Sequence, residues 1–114
     1  MAKPTVLLYP GAGSDREHSS LVAIEQRLGS AASVERRDFP YRTQGRRAPD
    51  RAPKLMEAIR GDLVSMRRRR GPLVMGGRSM GGRIASMVAA DVDGQGPVAR
   101  LAGLVLICYP LHPP

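Results

Sequence analysis

Residues 73–83 read Leu73-Val74-Met75-Gly76-Gly77-Arg78-Ser79-Met80-Gly81-Gly82-Arg83. Three apolar residues open the stretch and read as a short buried strand. Four glycines then surround a single serine, and Ile84 to Ala90 continues as a helix of small and apolar residues. The pattern G-x-S-x-G at 77–81 means little by itself; it gains meaning from a strand before it and a helix after it. Both are expected here. The reason is steric. A serine on a sharp strand-to-helix turn sits in strained backbone, and the residues two before and two after it must be small. Gly77 and Gly81 meet that need, and Gly76 and Gly82 widen the clearance. The helix behind the turn aims its N–H groups and positive dipole end toward the hydroxyl, which favours an oxyanion there. Ser79 is therefore the candidate nucleophile, on an elbow of Gly77, Arg78 and Gly81, with the Met80 N–H as a candidate oxyanion donor. A glycine-rich turn that only packs closely or holds an anion has the same spelling.

Outward toward the N-terminus, Thr5 to Tyr9 is an apolar run closed by Pro10 and Gly11, hence a buried strand. Gly11-Ala12-Gly13-Ser14 is a small-residue turn after it. An elbow needs a second oxyanion donor from the loop after an earlier strand, and Gly11, Ala12 and Gly13 stand where it would come from. A dinucleotide fingerprint is not supported, because Arg16 fills the place of its third glycine. Ser14 with Glu17 fits a capping box, and Ser19 is an equally good N-cap. Leu21, Ile24 and Leu28 follow at helical spacing before Gly29. Ser33 to Phe39 is a weaker strand ending at Pro40, and Tyr41 to Pro49 reads as polar, basic loop.

Asp50 and Pro53 mark a helix start. Ala52, Leu55, Met56, Ile59, Leu63 and Met66 trace its apolar face, with Lys54, Glu57, Arg60 and Asp62 opposite. Gly61 within it costs about 1 kcal/mol relative to Ala. Arg67 to Arg70 and then Gly71-Pro72 close it. Beyond the serine turn, Asp91 to Pro97 is a loop, and Leu101 to Tyr109 is a continuous apolar run of the kind found in parallel strands covered on both sides. Strands alternating with helices give an α/β chain with a mostly parallel sheet and helices on both faces.

Composition narrows the function classes. The chain has 114 residues, enough for one small domain. Its one cysteine, Cys108, rules out an internal disulfide framework and any multi-cysteine metal site, and is expected to be a small buried residue. No metal or organic cofactor is implied. The nine residues of Leu101 to Tyr109 fall far short of the ~20 of a membrane span, and the N-terminus lacks signal-peptide anatomy, so a cytoplasmic protein with no membrane partner is expected. The net charge of +8 lies entirely within residues 36–70, where 12 basic residues face 4 acidic ones. Such a patch can bind nucleic acid or acidic proteins. The absence of interleaved aromatics argues for a solvated face and against nucleic acid.

The stretch 76–83 with Ala85-Ser86-Met87 closely resembles a group of α/β-hydrolases related to dienelactone hydrolase. The group includes testis-expressed hydrolase-like proteins and a hydrolase-like subunit of a chromatin acetyltransferase complex. Gly103 to Leu106, Tyr109-Pro110-Leu111-His112-Pro113-Pro114, Pro10 to Gly13 and Phe39-Pro40-Tyr41 resemble it too. The resemblance spans essentially the whole chain. It implies an α/β-hydrolase fold, Ser79 as nucleophile, and Met80 with the Gly11-Ala12-Gly13 loop as oxyanion donors. Tyr9-Pro10 departs from the usual residues before those glycines.

The chemistry is incomplete within these residues. Such a hydrolase presents its triad in the order Ser, acid, His. After Ser79 come only Asp91, Asp93 and His112. The two aspartates lie at the far end of the following helix, and no acid strand fits before His112. Residues 1–114 are therefore expected to form a single domain that is C-terminally incomplete, a partial α/β-hydrolase fold. His112 and His18 are candidate residues lining the site. Leu104 to Ile107 would then be an exposed edge, inviting self-association. The leading functional expectation is a serine hydrolase of a small-molecule ester, thioester or similar acyl bond. The alternative is a non-catalytic interaction module working through residues 36–70.

Overall fold

The computed structural model describes residues 2–108. Four parallel strands form one sheet: β1 (Thr5–Tyr9), β2 (Ser33–Arg36), β3 (Leu73–Arg78) and β4 (Gly103–Ile107), in the order β2-β1-β3-β4. The helices are α1 (Ser19–Leu28), α2 (Pro40–Thr43), α3 (Ala52–Met66) and α4 (Met80–Ala89), with a 3-10 turn at Gly29–Ala31. The expected α/β architecture is present, with helices on both faces.

The chain direction explains the two layers. From β1 the chain steps to β2 on one side; from β2 it crosses back to β3 and then β4 on the other. With right-handed crossovers, that reversal sends the connecting helices to opposite faces. On one face Val6 and Leu8 of β1 pack with Leu21, Ile24 and Leu28 of α1. On the other, Leu7 and Tyr9 of β1 and Met75 of β3 pack with Leu55, Met56, Ile59, Leu63 and Met66 of α3 and Ile84, Ala85 and Val88 of α4. The apolar stripe expected on α3 is therefore its core face. The order reverses at β1 and β3, so the crevice at the C-terminal ends of these two strands lies at the topological switch point, where open α/β sheets bind ligands.

Several elements differ from the sequence expectation. The capping box of Ser14 and Glu17 does not form. Asp15 Oδ1 instead accepts the Glu17 N–H at 2.8 Å, which gives residues 15–18 a turn of their own. The helix begins at Ser19 with His18 as its N-cap. Pro40–Thr43 is a helical turn started by proline at its first position, where the loop expected from Tyr41 to Pro49 would begin. The strand before the serine turn runs through Gly76, Gly77 and Arg78 rather than stopping at Met75, and α4 begins at Met80, not Ile84. Asp62, placed on the solvated face of α3, accepts the Tyr9 hydroxyl at 2.7 Å.

β4 pairs with β3 alone and forms the edge of the described sheet. It is not covered on both sides as its continuous apolar run implied. Leu104 and Leu106 share the face of Met75 and Gly77, yet each is 42% exposed. Cys108 is exposed rather than buried, because the strand ends at Ile107 and Cys108 turns into left-handed backbone at φ 52°.

Half of the basic residues in the stretch 36–70 are ion-paired. Arg36 pairs with Glu17 and Glu25, Arg37 and Arg69 with Glu35, Arg42 with Asp15, Arg46 with Asp50, and Arg60 with Asp91 and Asp93. Half of the cations expected to form a patch thus have carboxylate partners.

Tyr9 carries a testable consequence of this core. Burial, then the charge and hydrogen bond of Asp62, push its hydroxyl far above the ordinary tyrosine range. A group whose folded pKa is raised stabilises the fold fully below its unfolded pKa, about 10, and loses that contribution as pH rises beyond it. Urea denaturation should show stability falling above pH 10, by up to about 1.4 kcal/mol per pH unit for this one proton. Tyr9→Phe should cost about 1–3 kcal/mol at pH 8 and flatten the alkaline fall. Equal alkaline slopes in the two proteins would contradict this role for Tyr9.

Candidate functional site

Ser79 sits between the end of β3 and the start of α4, at φ 51° and ψ −117°. This conformation is costly for a residue with a side chain, on the order of 1–3 kcal/mol, and persists only where the surroundings enforce it. The surroundings are backbone. A Cβ at Gly77 would collide with the Tyr9 carbonyl oxygen of β1 and lie 2.9 Å from both Gly81 C and Gly82 N. A Cβ at Gly81 would collide with the Pro10 carbonyl oxygen and lie 2.5 Å from that of Tyr9. A Cβ at Gly76 would collide with the Val105 carbonyl of β4. The glycines therefore let three strands and a helix close around one residue. The Ser79 N–H donates to the Ile107 carbonyl at 2.8 Å, and its carbonyl accepts from the Arg83 N–H at 3.0 Å. The turn is fixed at both ends.

The serine hydroxyl is left over from this bonding. Ser79 is the N-cap of α4, but its side chain caps nothing. The N–H groups of the first helical turn, beginning at Met80, have no acceptor within the helix. They share the helix's positive end with Ser79. No acidic residue lies in that first turn.

Gly11 is beside this turn. A Cβ placed on it would lie 3.6 Å from Ser79 Cβ and 3.8 Å from Arg78 Nη1. The loop after β1 and the turn after β3 thus meet at the switch point. The three loop amides are not equivalent. The Gly13 N–H donates to the Tyr41 hydroxyl at 3.0 Å and is engaged. Gly11 is buried, Ala12 is exposed, and neither amide donates to backbone among the described residues. Of these three loop amides, Gly11 and Ala12 are therefore the ones left free among the described residues.

A small aromatic group supports the loop from below. Tyr9 and Phe39 stack with centroids 5.1 Å apart, and Phe39 and Tyr41 at 6.3 Å. All three are fully buried. Sequence reasoning missed this role. The available signal was scarcity: the chain has only four aromatic residues, and three of them meet here.

The other singled-out residues are elsewhere. His18 Nδ1 accepts the Ser20 N–H at 3.1 Å and lies 2.8 Å from its hydroxyl. It caps α1 and makes no hydrogen bond to Ser79. Asp91 and Asp93 both bind the Arg60 guanidinium, and Asp91 also accepts the Gly96 N–H at 3.0 Å. They tie α3 to the loop after α4 and are remote from any triad role. His112 lies outside the described residues. Among the described residues, no group of three or more His, Cys, Asp or Glu could hold a metal ion, and no helix is long and apolar enough to cross a membrane.

The contrast between two glycines tests the packing. Gly77→Ala should destabilise the fold by at least about 2 kcal/mol, because the methyl meets rigid backbone. Gly61→Ala, with nothing within 4 Å of the new methyl, should stabilise α3 by about 1 kcal/mol. Thermal denaturation of both variants checks the pair; a Gly77→Ala protein melting with the parent would refute the enforced turn.

No curated protein matches the chain. Among solved structures it is similar to the type II thioesterase BorB from the borrelidin biosynthetic cluster. The TM-score is 0.72 at 19% identity, over 96% of this chain and 43% of the thioesterase chain. That likeness concerns the fold, and this chain spans less than half of that neighbour's length. A family model described as an alpha/beta hydrolase domain matches residues 2–114. A parallel sheet with a strained serine turn at its switch point, matched by that model nearly end to end, places the chain in the α/β-hydrolase domain family.

Proposed function

We propose that this chain carries the nucleophile and oxyanion half of a serine hydrolase acting on an ester, thioester or similar acyl bond. The observation that carries the reading is Ser79 itself: a non-glycine residue at φ 51° whose hydroxyl makes no hydrogen bond among the described residues. Strain of this kind is maintained where it positions a reacting group. On this reading Ser79 Oγ attacks the acyl carbonyl and loses its proton to a general base. The carbonyl oxygen becomes an oxyanion facing the Met80 N–H and a Gly11 or Ala12 N–H. Collapse breaks the bond to the leaving group, which departs with a proton. Water then hydrolyses the Ser79 acyl ester by the same route in reverse order.

The described residues offer no base in contact with Ser79, since His18 is committed to capping α1. The base and its acid are proposed to come from outside them. The solved thioesterase neighbour, of which this chain covers 43%, supports a thioester within the substrate class, and nothing narrower. The open edge of β4 with Leu104 and Leu106 exposed supports self-association of the chain. The interaction-module reading loses support, because six of the twelve basic residues at 36–70 are neutralised within the fold.

An exogenous base tests the assignment. A fluorophosphonate probe should form one adduct, on Ser79, slowly. Imidazole should accelerate it by about 10-fold or more, as a general base does. Ser79→Ala should abolish it. A folded sample that gives no adduct with or without imidazole would refute the reading.

A further inference from the structure

We propose that Arg78 is an anion-recognition residue, and that the substrate taken at Ser79 carries a carboxylate or phosphate close to its reactive carbonyl. The inference deepens the hydrolase reading and rests on it for the word substrate. The anion site itself stands on separate observations.

The first is an absence of partners around Arg78. Its side chain is only partly exposed, its Nη1 lies over Gly11, and it forms no hydrogen bond or ion pair among the described residues. Nine of the sixteen arginines lack a carboxylate partner among the described residues, but the other eight of these are exposed. The remaining arginines that are only partly exposed, Arg36, Arg37, Arg42 and Arg60, all have carboxylate partners. The acids nearest in the chain to the Gly11 loop are already taken: Asp15 by Arg42 and Glu17 by Arg36. Residues 109–114 are Tyr-Pro-Leu-His-Pro-Pro and contain no acidic side chain.

The second observation is the sign of everything else at this place. Arg78 stands immediately before the positive end of α4. Arg83 follows within the next turn, exposed and likewise without a partner among the described residues. The Arg78 guanidinium and a helix N-terminus beside an uncharged serine raise the local potential, and among the described residues no carboxylate pairs with Arg78. The arrangement disfavours the empty state and favours an incoming anion. Arginine is suited to the task, since its planar fork matches carboxylate and phosphate oxygens in a two-point contact. An anion on Arg78 would bring its neighbouring carbonyl beside Ser79 and Gly11. The same electrostatics would also favour the developing oxyanion, so a neutral substrate would lose positioning but not chemistry.

Direct binding tests this independently of turnover. Backbone amide shifts of the full chain would be followed by NMR during titration with monomethyl succinate, methyl phosphate and neutral dimethyl succinate. Saturable shifts at Gly11, Arg78 and Ser79 with at least one of the two anions, and none with the diester, are expected. The anion that binds more tightly tells whether the charge belongs to a carboxylate of the acyl part or a phosphate of the leaving group. Arg78→Gln should weaken binding at least 10-fold, and Arg78→Lys by less. Arg70→Gln, which lowers the net charge equally at a remote place, should leave it unchanged. Ser79→Ala should still bind, so an unreactive serine with an intact anion site would overturn the hydrolase reading alone. Anion binding that is absent, or that falls equally in Arg78→Gln and Arg70→Gln, would overturn this proposal.

Discussion

Three stretches of backbone approach one another at the end of β1 more closely than side chains allow. The carbonyls of Tyr9 and Pro10 press on Gly77 and Gly81, and α4 leaves β3 with Ser79 alone between them. The alternative to a left-handed Ser79 would be a longer connection, and that would pull α4 off the sheet. Helix packing against Ile84, Ala85 and Val88 opposes this, at roughly 25 cal/mol for each Å² of apolar surface that would be exposed. The strain at one residue is thus held by the burial of many. A site built this way needs no movement to assemble, which is what electrostatic stabilisation of an oxyanion requires.

The loop facing Ser79 is held by a different means. Pro10 is buried, Gly13 donates to Tyr41, and the aromatic stack beneath is anchored to α3 through Tyr9 and Asp62. The loop therefore inherits its position from the core between the sheet and α3. Engaging Gly13 also selects which amides remain for a ligand. On the proposed reading, Tyr41 defines the oxyanion site by removing one donor from it.

Much of this was legible in the residues, and the misses have physical causes. The buried runs at Thr5–Tyr9 and Leu73–Met75 and the stripe of Leu55, Ile59, Leu63 and Met66 reported their environments through periodicity, because tertiary burial decided those residues. The glycines around Ser79 were readable because steric exclusion leaves no other residue type. Of the two caps expected for α1, the box at Ser14 fails because Asp15 satisfies the Glu17 amide locally, a competition that the spacing of Ser14 and Glu17 cannot reveal, whereas Ser19 lies one residue from the observed cap at His18. Asp62 looked solvated because helical periodicity does not know that a tyrosine hydroxyl ends beneath it. Cys108 was misread because apolar continuity does not mark where a strand turns. Pairings across 53 or 28 residues, such as Tyr9 with Asp62 and Gly13 with Tyr41, leave no local pattern.

On the proposed reading, an enforced left-handed Ser79 presents its hydroxyl between the N-terminus of α4 and the Gly11 loop. A crystal structure of the protein after phosphonylation of Ser79 tests this most directly. Ser79 should remain at positive φ, with one phosphonyl oxygen about 2.7–3.1 Å from the Met80 N–H and from a Gly11 or Ala12 N–H. A Ser79 relaxed into ordinary helical backbone, or a phosphonyl oxygen turned to solvent with those amides unoccupied, would contradict it.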